Sequence, residues 1–108
     1  MDTQKKIHEI VTSSPVVLFM KGTPQFPQCG FSSRAIQILS ACGVKNLRTV
    51  DVLADPEIRQ GVKDYANWPT IPQLYIAGEF MGGSDIMTEM YEAGDLQKCI
   101  DLLAGATD

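Results

Sequence analysis

The apolar residues fall into short groups whose spacing changes along the chain, and the spacing predicts nine elements. Over residues 3–13, Ile7, Ile10 and Val11 stand at i, i+3 and i+4, which marks one face of a helix. The run Val16-Val17-Leu18-Phe19-Met20 is continuous rather than alternating, so it predicts a strand buried on both faces. Residues 21–28, broken by Gly22, Pro24 and Pro27, read as a loop. Helical spacing returns over residues 30–42, with Phe31, Ala35, Ile38 and Cys42 on one stripe and Gly43 suited to its end. Residues 47–53 alternate as a second strand. Asp55 followed by Pro56 opens a helix over 56–66, a capping side chain before a proline at the first helical position, with Ile58, Val62 and Tyr65 as its apolar face. Leu74–Ile76 and Glu79–Met81 form a hairpin that turns at Ala77-Gly78. Ser84-Asp85 can cap a helix through about residue 92, and Gly94 separates it from a last helix carrying Leu96, Cys99, Ile100 and Leu103 on one face.

The order is αβαβαββαα: a βαβ unit followed by a ββα unit. This arrangement resembles a thioredoxin-like α/β domain, a central four-stranded mixed sheet flanked by helices. A chain of 108 residues with 44% apolar content is expected to form a single folded domain spanning 1–108. A net charge of −4 argues against nonspecific binding to nucleic acid or an anionic membrane, although a local basic patch can still hold a small anion. The longest apolar run, residues 16–20, is far short of the roughly 20 residues of a membrane span. The start, MDTQKKIHEI, has no apolar core of a secretory signal. Three cysteines, odd in number and scattered, do not make a disulfide framework and suit a reducing compartment.

The stretch Pro27-Gln28-Cys29-Gly30-Phe31-Ser32 changes the picture. It has the form of a dithiol redox motif whose second cysteine is Ser32. Cys29 falls at a helix start, where unpaired N–H groups and the helix dipole favour a thiolate. Lys21, at the end of the preceding strand, adds a positive charge on the same side. Cys29 is therefore placed as a nucleophile or a metal ligand. Cys42 and Cys99 complete apolar stripes and read as core residues. Cys42 is 13 residues beyond Cys29 on one helix, about 20 Å at ~1.5 Å per residue, against the roughly 7 Å a disulfide tolerates. The position of Cys99 is left open by the sequence.

Two further segments carry candidate chemistry. In Trp68-Pro69-Thr70-Ile71-Pro72, Pro72 precedes a strand, where it is either a cis proline or a trans proline at a sheet edge. A cis bond there would leave backbone groups free to pair with an extended peptide. Gly82-Gly83-Ser84-Asp85 leads into a helix start, which is either an anion site built from N–H groups or a plain hairpin exit. Arg59, taken alone, reads as a solvated surface residue, and His8 has no partner of interest.

The segments MKGTPQFPQCGFS at 20–32, ANWPTIPQLYIAGEF at 66–80 and MGGSDI at 81–86, in this order and spacing, resemble the monothiol CGFS-type glutaredoxins over roughly residues 5–103. The resemblance implies a thioredoxin fold with a cis bond before Pro72 and a glutathione site. Lys21 and Arg59 would meet the glycyl carboxylate. The Ile71 backbone would pair with the tripeptide. Ser84 and Asp85 would hold the γ-glutamyl end. It further implies a homodimer bridged by a [2Fe–2S] cluster, with Cys29 of each chain and two glutathione thiols as the four ligands, and transfer of that cluster to acceptor apoproteins. The competing reading is a glutathione-dependent thiol–disulfide oxidoreductase with Cys29 as the catalytic nucleophile. The eight steps from Lys21 to Cys29 make a longer loop than in dithiol relatives, which implies weak turnover. A BolA-like protein is a further partner the resemblance implies. Many relatives carry cysteine where Ser84 stands here, so a disulfide between that site and Cys29 is excluded. The expected location is cytoplasmic, or mitochondrial or plastid after loss of a transit peptide.

Overall fold

Strand β1, Val16–Met20, is the centre of the molecule, and its five consecutive apolar residues are all buried. The computed structural model describes residues 2–107, with side chains described through residue 103. The elements run α1 (Thr3–Thr12), β1, α2 (Gly30–Ala41), β2 (Leu47–Asp51), α3 (Pro56–Ala66), β3 (Gln73–Ile76), β4 (Glu79–Gly82), α4 (Ser84–Glu92) and α5 (Asp95–Thr107). The sheet order is β2-β1-β3-β4. β1 pairs in parallel with β2 and antiparallel with β3, and β3 pairs antiparallel with β4, so the sheet is mixed. This is the thioredoxin-like arrangement.

Successive side chains of β1 point to opposite faces. Val16, Leu18 and Met20 enter a core shared with Ala35, Ile38 and Leu39 of α2, Met87 of α4 and Leu96 and Ile100 of α5. Val17 and Phe19 enter the other core, with Ile7 and Val11 of α1 and Ile58 and Val62 of α3. A strand covered on both faces has no polar side to alternate, which is why its sequence is a solid apolar run. Each aliphatic side chain fully buried in this way contributes on the order of 1.5–3 kcal/mol.

Local chemistry sets the ends of the elements. Asp55 caps α3 by accepting hydrogen bonds from the N–H groups of Glu57 and Ile58 at 3.1 and 3.3 Å, with Pro56 at the first helical position. The hairpin turn Ala77-Gly78 has positive φ at both residues, +53° and +81°, as a two-residue turn between twisted strands requires. β2 ends at Asp51 instead of continuing to residue 53. The Asp51 carboxylate accepts the Leu53 N–H at 2.9 Å and turns the chain away. The helix after β4 is capped by Gly83, with Ser84 as its first residue, rather than by Ser84-Asp85.

Candidate functional site

The site begins where β1 runs out. Lys21 follows the strand, and the chain then folds through residues 22–28 as a small closed loop. Gly22 bridges Pro27, and the Gln28 N–H donates to the Lys21 carbonyl at 2.9 Å. Thr23 and Phe26 exchange backbone hydrogen bonds at 3.3 and 3.1 Å. Asp51 ties the loop to the sheet by accepting the Gly22 N–H at 2.9 Å. The loop delivers Cys29 to the N-cap of α2, half-buried and in the free thiol form.

The Cys29 side chain closes no capping hydrogen bond of full geometry, so its sulfur is left to react. Its pKa is nonetheless held below the ordinary cysteine range. The Ser32 backbone N–H is the largest cause; the Phe31 N–H, the Lys21 charge and the Ser32 hydroxyl add to it, and partial burial opposes them. Burial pushes the Cys42 thiol the other way, with Asp101 adding to the rise. Cys42 and Cys99 both belong to the core beneath α2 and α5, and Cys42 lies at the far end of α2 from Cys29. Replacing Lys21 by glutamine is therefore expected to move the pH profile of Cys29 alkylation to higher pH. A profile that stays in place would show that the charge of Lys21 does not reach the thiol.

Ser32 is not a vacant half of a dithiol. It is fully buried, and its Oγ accepts the Lys21 N–H at 3.0 Å, tying the end of β1 to the first turn of α2. The helical stripe is correspondingly shifted from the one the spacing predicts. Ala35, Ile38 and Cys42 are buried, but Phe31 is 63% exposed. The inward position of the first turn of α2 is taken by Ser32, held there by the Lys21 N–H, and Phe31 lines the cleft beside Cys29.

An open cleft of about 440 Å³ runs from the start of α2 to the start of α4, lined by Cys29, Phe31, Arg34, Ser84, Asp85 and Thr88 among others. Ser84 and Asp85 are thus brought to Cys29. The Ile71–Pro72 bond is cis. Ile71 turns its side chain into the core with α1 and α3, while its backbone N–H and C=O have no partner among the described hydrogen bonds. Arg59 is exposed in the first turns of α3 and is not among the described residues that line the cleft.

Three supporting residues escaped the sequence reading. Arg34 lines the cleft, although nothing in a lone arginine on a helix signals this. Asp51 anchors the loop, as its hydrogen bonds show. Gln73 is fully buried, and its Nε2 donates to the carbonyls of Trp68 and Thr70 at 3.2 and 3.3 Å while its Oε1 accepts from the Tyr75 hydroxyl at 3.0 Å. It holds the segment that leads into the cis bond. A glutamine opening an apolar strand was the available signal, because a buried amide is kept only where its hydrogen bonds are met. His8, read as idle, has its Nδ1 against the Tyr65 hydroxyl at 3.0 Å, away from the cleft.

Comparison with known proteins agrees with this geometry. The family model described as Glutaredoxin matches residues 16–81. An uncharacterized monothiol glutaredoxin, ycf64-like, from Synechocystis sp. is 54% identical over 101 residues, covering 94% of both chains. Glutaredoxin 4 of Escherichia coli K12 is 49% identical over 98 residues, covering 91% of this chain and 84% of its own. Among solved structures, a monomeric truncated mutant of the Trypanosoma brucei protein 1-C-Grx1 superposes with a TM-score of 0.84 at 44% identity, covering 96% of this chain and 94% of that one. A thiol at a helix start, a serine where a second cysteine would stand, and relatives of this similarity place the chain in the glutaredoxin family, in its monothiol branch.

Proposed function

We propose that the chain binds glutathione beside Cys29 and, as a pair of chains, carries a [2Fe–2S] cluster to acceptor apoproteins. The observation that carries this reading is the contrast between Cys29 and Ser32. One thiol is half-exposed with a depressed pKa, and the position that could resolve it is a buried serine committed to the Lys21 N–H. A [2Fe–2S] cluster takes four thiolate-type ligands. Among the described residues no three His, Cys, Asp or Glu gather at one point, and Cys42 and Cys99 belong to the core, so this reading takes Cys29 as the ligand from each chain. Two chains and two glutathione thiols supply four. The cluster is then cargo, held partly by ligands that dissociate.

In this reading Lys21 and Arg59 take the glycyl carboxylate of glutathione. The free backbone groups of Ile71 pair with the tripeptide, and Ser84 and Asp85 at the start of α4 receive the γ-glutamyl end. Phe26, in the loop before Cys29, and Phe31, in the cleft, are exposed and suit this face to a second copy or a BolA-like protein. The proposed location is the cytoplasm, with an organelle as the alternative.

A second reading is favoured by the depressed pKa itself. The Cys29 thiolate attacks the glutathione sulfur of a glutathionylated substrate, and the substrate thiolate leaves and takes up a proton. The thiolate of a second glutathione then attacks the mixed disulfide, giving oxidised glutathione and restoring the Cys29 thiolate. This needs one protein cysteine and no resolving thiol.

Anaerobic reconstitution with iron and sulfide, with and without glutathione, separates the two. The expected product with glutathione is a brown dimer by visible absorbance and solution mass, and without glutathione it does not form. A colourless monomer under both conditions overturns the carrier and leaves the thiol-exchange enzyme.

A further inference from the structure

The cleft beside Cys29 has a charge pattern that the thiol chemistry does not use. Arg34 lies on its α2 wall and Asp85 on its α4 wall. Both side chains are exposed, and neither forms an ion pair among the described residues, where the recorded pair is Lys6 with Asp55. They are therefore opposite charges that share a cleft without closing on each other. Such a gap complements a group that carries a positive and a negative charge side by side. An α-amino acid head is that group. A simple carboxylate would satisfy Arg34 and be repelled by Asp85.

Glutathione presents one such head. Its γ-glutamyl end bears an α-ammonium and an α-carboxylate on one carbon, whereas its glycyl end bears a carboxylate alone. Lys21 and Arg59, the cations suited to the glycyl end, do not line this cleft. The tripeptide therefore extends in two directions from Cys29, and the cleft receives the zwitterionic end.

Resting on the glutathione reading, which already gives Asp85 the γ-glutamyl end, we infer that Arg34 is a specificity-determining residue that takes the γ-glutamyl α-carboxylate. The planar fork of the guanidinium matches a carboxylate with two parallel N–H donors, which a lysine at the same position would do only as a point charge. The sequence around Ser84 and Asp85 does not suggest this role, because Arg34 sits on a different helix.

The test is a thermodynamic cycle at low salt under reducing conditions. Wild type, Arg34→Gln and Arg34→Lys are each titrated with glutathione and with 4-aminobutanoyl-cysteinylglycine, which is glutathione without the γ-glutamyl α-carboxylate. Arg34→Gln is expected to weaken glutathione about five-fold, a size set by solvent screening of an exposed pair, and to leave the analogue unchanged. Arg34→Lys is expected to fall between. Equal weakening of both peptides, or no weakening of glutathione, overturns the role of Arg34 and leaves the glutathione site standing. Wild type that binds neither peptide overturns the glutathione reading and this inference with it.

Discussion

The Cys29→Ser protein melts no lower than its parent and neither takes up a glutathione-ligated cluster nor exchanges thiols. The two halves of this expectation come from one position. Cys29 is the N-cap of α2, and its side chain makes no full capping hydrogen bond. Serine is among the best N-cap residues, and a good cap adds about 0.5–1 kcal/mol relative to a poor one. The hydroxyl is small enough for the same space and can accept the Ser32 or Phe31 N–H that now favours the thiolate. Stability is therefore held or raised. The chemistry is removed, because an alcohol is not ionised at neutral pH and is neither a sulfur ligand nor a nucleophile of comparable strength. Denaturant midpoints, cluster absorbance and a deglutathionylation assay measure all three consequences. A serine protein that still binds a cluster with the parent spectrum would remove Cys29 from the proposed ligand set. One that loses stability would show that the thiol is part of the structure after all.

The depressed pKa of Cys29 also gives a sign to pH dependence. The folded chain favours the thiolate more than the unfolded chain does. The linked stability grows as pH rises through the folded value and is complete above the unfolded one. Cys29→Ser removes that part of the pH dependence, and Lys21→Gln reduces it.

What could be read in advance followed from rules that act over a few residues. Val16–Met20 is a solid apolar run because two helical layers cover it. Asp55-Pro56 announces α3 because cap and proline act within one turn. The start of α4 is legible to within one residue, since Gly83 rather than Ser84 is its N-cap. What escaped depended on partners far along the chain. Asp51 stops β2 because its carboxylate meets Gly22 as well as Leu53, and the first of those contacts spans 29 residues. Phe31 keeps the periodicity of an inward position yet stands outside, because Ser32 turns inward to meet the Lys21 N–H eleven residues back. Ser32 reads as a missing cysteine until the Lys21 N–H is seen to need its oxygen. Arg34 has no local signal at all, since its meaning lies in the charge across the cleft. Motif resemblance supplied the residues that periodicity could not, such as Ile71, whose function would lie in its backbone.

Gly22→Ala is expected to cost about 3 kcal/mol or more, the largest stability loss of any small substitution near the site. Two separate penalties meet there. The residue sits at φ +88°, a conformation that costs a residue with a Cβ roughly 1–2 kcal/mol. The added Cβ would also lie 2.5 Å from the Phe26 carbonyl oxygen and 2.7 Å from the Gln28 nitrogen. These are backbone atoms in a loop closed on itself, so relief requires opening the hydrogen bonds that close it. The Gly22 N–H to Asp51 and the Gln28 N–H to Lys21 stand next to the clash. Against a total stability of about 5–15 kcal/mol for a domain of this size, the loss is a large fraction. Gly43→Ala is the control, since Gly43 has φ +71° but nothing within 4 Å of its added Cβ. It should lose only the conformational part, roughly 1–2 kcal/mol. Urea midpoints of the two variants measure the difference. If Gly22→Ala loses no more than Gly43→Ala, the loop yields without cost and does not hold Cys29 in place. If it loses more, Cys29 alkylation in the surviving folded protein should shift to higher pH, because the loop that carries the thiol to the start of α2 also holds Lys21 beside it.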